Sequence, residues 1–150
     1  MNVRDCSLAL VAAMIAFCPA SSALAADAGV IKTMSGTVSV KRGNDLLTAS
    51  QGMAVQTSDQ IMTGDKSTVG IALMDNTLLT AGANAIISLD RFKFDPQTER
   101  GELEANVKRG SLSVISGKLA KSSPESVQFK TSTVTLGVRG TEFIIDVADR

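Results

Sequence analysis

Apolar residues that return every second position, in short runs broken by Gly, Asn or Asp, limit this chain's folds more than any other feature. Val38 and Val40 alternate within Gly36 to Lys41; Val69, Ile71 and Leu73 do so within Ser67 to Met74; Leu103, Ala105 and Val107 do so within Glu102 to Lys108. A period of two belongs to a strand with one buried face. Such runs recur every ~8–12 residues, and beyond the N-terminal segment no helical stripe exceeds about two turns. Turn signals separate them at Gly43-Asn44-Asp45, Asp75-Asn76, Gly82-Ala83-Asn84, the polar tip from Asp95 to Gly101, and Gly110. Opposite the apolar positions of the Ser67 run stand Gly70 and Ala72, small enough for a close layer. The pattern predicts an all-β domain of many short strands, either a β-sandwich or a twisted, β-solenoid-like stack.

The first 25 residues read differently. Arg4 precedes an apolar stretch from Leu8 to Phe17, followed by Pro19, Ser21-Ser22 and Ala23-Leu24-Ala25. Small residues at −3 and −1 suit cleavage near Ala25-Ala26, and the apolar run is too short to cross roughly 30 Å of hydrocarbon. Residues 1–25 are therefore expected to be a cleavable signal peptide helix, and residues 26–150 one β-domain. Both cysteines, Cys6 and Cys18, fall in the leader, so the exported part carries no disulfide chemistry. Lys plus Arg equal Asp plus Glu at 15 each, which gives no basic excess for nucleic acid. Nothing after the leader reads as an integral membrane segment.

The chain has no His, Trp or Tyr. Ser-His-Asp and Cys-His catalysis and most zinc sites are excluded on composition. Glu102 and Glu104 share a strand face and read as solvated decoration. Asp59, Asp65 and Asp75 lie near turns without the spacing of a calcium loop, so turn hydrogen bonding accounts for them. Gly64-Asp65-Lys66-Ser67 lacks the spacing of a phosphate-binding loop and reads as a turn. No catalytic residue, metal or cofactor is expected.

Thr131 to Val147 is the most patterned stretch. Val134, Leu136 and Val138 share one face before a break at Gly137-Val138-Arg139-Gly140-Thr141, and Phe143, Ile145 and Val147 share one after it. Arg139, an always-charged fork between two glycines, is expected to clamp the bend by pairing with Glu142 or Asp146. The competing reading has it gripping a partner's carboxylate. Arg139, Phe143 and Ile145 are the candidate partner-binding residues.

Four pieces in order resemble the FecR domain family: Asp59-Gln60-Ile61-Met62-Thr63-Gly64, the strand pair around Asp75-Asn76-Thr77, Arg109 to Lys118, and Leu136-Gly137-Val138-Arg139-Gly140-Thr141 with Phe143. The resemblance marks Asp59, Gly64, Gly137, Arg139, Gly140, Thr141 and Phe143 as motif positions. It implies an all-β domain working outside the cytoplasmic membrane, in a family whose best-known members relay a transporter's state to a sigma factor, and it supplies no catalytic residues. With no cytoplasmic helical segment expected here, direct contact with a sigma factor is not. The expected function is a periplasmic or secreted, non-catalytic binding or sensing module that contacts another envelope protein. The alternatives are binding of a cell-wall glycan or small ligand, and an assembly role through self-association.

Overall fold

The structure, a computed structural model, describes residues 26–140 and 142–148. The leader expected over residues 1–25 lies outside the described residues, as does Thr141. The described chain forms β1 (Asp27–Ser35), β2 (Val38–Arg42), β3 (Asp45–Thr48), β4 (Ala54–Gln56), β5 (Gln60–Thr63), β6 (Thr68–Leu73), β7 (Leu78–Ala81), β8 (Ile86–Asp95), β9 (Arg100–Ile115), β10 (Val127–Thr131), β11 (Thr135–Gly137) and β12 (Glu142–Val147). A short helix α1 (Lys118–Ser122) and a 3-10 turn (Pro124–Ser126) link β9 to β10.

The alternation seen in the sequence becomes burial. Val38 and Val40, Val69, Ile71 and Leu73, and Leu103, Ala105 and Val107 are all inside. Full burial of one such Val, Leu or Ile side chain stabilises by about 1.5–3 kcal/mol. The strands form one curled sheet in two halves. One half runs β4-β1-β6-β7-β9-β12 and the other β3-β2-β5-β8-β9-β10-β11. Ile61, Ile87, Leu89 and Ala105 from the second half meet Ile71, Leu79 and Leu112 from the first around a small, wholly apolar void.

Three expectations need correction. The sheet is not a stack of solenoid coils, because every pairing among the described residues is antiparallel except β9–β10. Nor is it two separate sandwich sheets, because β9 runs through both halves for 16 residues. Gly110, expected to turn the chain, only bends it. Before it, Arg109 pairs with Ile86 of β8; after it, Leu112 pairs with Ala81 of β7. Gly110 has φ +79°, and a Cβ there would lie 2.6 Å from the Cα of Ala85. Only glycine suits that combination.

Four of the places where the chain crosses between halves are neighbouring corners: Gly36-Thr37, Gly64 to Ser67, Gly82 to Ala85, and Gly110. Hydrogen bonds tie each corner to the next. The Gly64 amide donates to the Thr37 carbonyl (2.9 Å), Asn84 N–H to the Gly64 carbonyl (3.0 Å), and Gly82 N–H to the Ser111 carbonyl (3.0 Å). The Thr63 hydroxyl donates to the Gly82 carbonyl (2.6 Å) and accepts from Ala85 N–H (2.8 Å). The buried Ser67 hydroxyl accepts from Thr37 N–H at 2.9 Å. This column supplies partners for backbone groups that leave the strand ladder, as buried amides require.

Candidate partner-binding edge

Asp59 and Gly64 flank β5. Asp59 is fully buried, and its carboxylate accepts from Arg42 Nε (2.9 Å), Arg42 Nη2 (2.7 Å) and the Gln56 amide (2.8 Å). Arg42 Nη2 also donates to the Ala54 carbonyl at 3.0 Å. The hydrogen bonds it donates to Asp59 hold the Arg42 guanidinium above its ordinary pKa. A buried carboxylate is tolerated when a bidentate fork and a backbone N–H satisfy its oxygens. Asp59 thus pins the β4–β5 turn to the end of β2, and Gly64 ties two of the corners together.

Asp75 follows the same logic without a cation. Its carboxylate accepts from Thr77 N–H (3.1 Å), the Thr77 hydroxyl (2.6 Å) and Leu119 N–H (3.4 Å), while the Thr77 hydroxyl accepts from Gly117 N–H (3.0 Å). The β6–β7 turn is thereby pinned to α1, whose Leu119 and Ala120 are buried. Glu102 and Glu104 sit beside Arg91, Lys93 and Lys130 on the exposed face of β8–β9–β10. Among the described residues no group of three or more side chains has the makings of a metal site.

The Thr131–Val147 stretch does form two strands either side of a break, but its residues are used differently from expectation. Arg139 is exposed and makes no ion pair with Glu142 or Asp146 among the described residues. The clamping arginine of this fold is Arg42, which sequence spacing could not pair with a residue 17 positions away. Gly140 has φ +56°, which explains a glycine there. Gly137 meets nothing within 4 Å, so close approach does not require it. Val138 is buried while Val134 and Leu136 are exposed. The strand that holds Leu136, β11, pairs among the described residues with β10 alone and hangs at the margin.

On β12 the inward face is as expected. Phe143 packs edge-on against Phe129, ring centroids 5.3 Å apart at 74°, and Ile145 is only 5% exposed. Ile145 is therefore a core residue, while Phe143 is half-buried against the core with only part of its ring left outward. The apolar residue that faces outward, between Glu142 and Asp146, is Ile144, 71% exposed, which sequence alternation could have singled out as the apolar residue on the wrong face. Among the described residues β12 pairs with β9 alone. Between β12 and the β10–β11 hairpin lies an open gap lined by Thr131, Val134, Leu136, Ile144 and Val147, with Lys108 and Asp146 at its rim.

The FecR protein family model matches residues 59–150. The chain belongs to the FecR family. The family is one of sensing and signal-transduction modules. The FecR match opens at Asp59 itself, whereas Arg42, which pairs with Asp59, and Thr37, which bonds to Ser67, come from the chain that precedes it. No curated protein and no solved structure matches the chain. No helix among the described residues is long and apolar enough to cross a membrane.

Proposed function

We propose that this FecR-family chain is an exported, non-catalytic binding and sensing module of the cell envelope. It is periplasmic or secreted, and it takes an extended segment of another envelope protein onto the outer edge of β12. The observation that carries this reading is the pairing of β12, among the described residues, on one side only, next to an open gap with the exposed apolar residues Val134 and Leu136. An unpaired edge offers a row of backbone donors and acceptors to an incoming strand, whose alternate side chains find the apolar wall. The non-catalytic part of the reading rests on a composition without His and on the character of the family as sensing and signal-transduction modules.

A photo-reactive residue placed at Leu136 should give an adduct with another envelope protein in whole cells. Val134→Asp should abolish that adduct while leaving the melting midpoint unchanged, since Val134 is half exposed. Absence of any adduct from the wild-type gap would overturn the reading.

A further inference from the structure

The two halves of the sheet turn contrasting faces to solvent. Arg91, Lys93, Glu102, Glu104 and Lys130 cross the face over β8–β9–β10. The outer face of the other half carries no charge in its middle. Across the register, Val30, Ala72, Leu78 and Ile115 form one row that ends at Glu142 on β12. Gly70, Thr80, Ser113 and Ile144 form the next. Leu78 and Ile115 are 42% and 44% exposed. A solvated antiparallel face normally alternates to polar and charged residues; this one combines glycine, alanine and the short hydroxyls of Thr80 and Ser113 with large aliphatics.

Charge stands only at its margins, and the two margins differ in sign. Lys32, the extra residue of a bulge between Ile31 and Thr33 on β1, stands at one. Glu142 and Asp146 on β12 stand at the other. A twofold axis lying along β7 in the plane of this face lays one copy's β12 over the other's β1, and its β9 over the other's β6. That operation sets Lys32 against the acidic margin on both sides, seats Ile115 over Ala72 and brings Leu78 against itself. Self-complementarity of this kind is what an isologous contact needs, and aligned sheet packing supplies its geometry. Asp27, the other charge near the Lys32 margin, lies beyond the Val30 row and accepts from the Gln56 side chain at 3.2 Å.

We infer that the chain pairs with a second copy of itself, face to face, through the uncharged side of the β4-β1-β6-β7-β9-β12 half. This inference stands apart from the β12-edge reading, because Leu136 is not on this face and the outer backbone edge of β12 stays open in the pair.

Sedimentation equilibrium of the purified protein tests it. A concentration-dependent monomer–dimer equilibrium is expected. Thr80→Arg, at the exposed centre of the face, should weaken dimerisation by about a hundredfold, the effect of a desolvated, unpaired charge. Lys32→Glu should weaken it by roughly tenfold, and Lys32→Glu combined with Glu142→Lys should restore it. A protein that stays monomeric at millimolar concentration, or a dimer unmoved by Thr80→Arg, overturns the inference. So does a double variant no tighter than Lys32→Glu alone. Circular dichroism of each variant shows whether the fold is kept, which the exposure of all three side chains favours.

Discussion

Removing the guanidinium of Arg42 leaves the Asp59 carboxylate buried with one backbone N–H as its remaining donor. Breaking a buried pair from one side costs several kcal/mol, and because the Arg42 side chain is 34% exposed water recovers part of it. Arg42→Ala should therefore cost about 3 kcal/mol in urea denaturation. Arg139→Ala, at an exposed side chain without an ion pair among the described residues, should stay within about 0.5 kcal/mol. The contrast bears on what residues disclose by themselves. Asp59, Thr63 and Gly64 were legible as a motif because they sit within six positions of each other. Their partners were not, since Arg42, Gly82 and Ala85 reach them across 17 to 22 residues. A glycine-flanked arginine draws the eye in a sequence, but flanking says nothing about which carboxylate lies within reach.

Among the elements, β9 shows how one residue decides a strand's course. A side chain at Gly110 must accept φ +79° and also displace the Ala85 backbone. Gly110→Ala should thus lose more than about 2 kcal/mol, whereas Gly137→Ala, with open space around it, should be neutral or gain about 0.5 kcal/mol. Thermal melts of the two variants side by side check this. The sequence pattern located β9 as two strands with a turn between them, because a glycine that bends a strand and a glycine that reverses it are the same letter. At the β8–β9 tip, Gln97 and Thr98 donate to Asp95 and hold its carboxyl below the ordinary range. Glu102 is also held low: desolvation, which would raise it, is outweighed by Lys93 and Arg91. Both folded pKa values lie under the unfolded ones. Their stabilisation is complete above the ordinary carboxylate pKa of about 4 and fades as pH falls through the folded values. Amide exchange at Gln97 and Thr98, after correction for intrinsic rates, should accelerate below that pH while exchange in β6 does not.

For the molecule as a whole, strand content, hairpins at Gly43-Asn44 and at the Asp95–Gly101 tip, and the inward faces were legible because they depend on neighbours in the chain. The curl was not, because it depends on corners meeting each other in space. One consequence of the course of β9 concerns divisibility. It is the inner neighbour of β7 and β12 in one half and of β8 and β10 in the other. A fragment that stops before Arg100 keeps eight strands and still strips β7 and β8 of a partner at once. Neither half can be excised, inherited or swapped by itself, so the smallest unit that evolution or an engineer can move is the whole curled sheet.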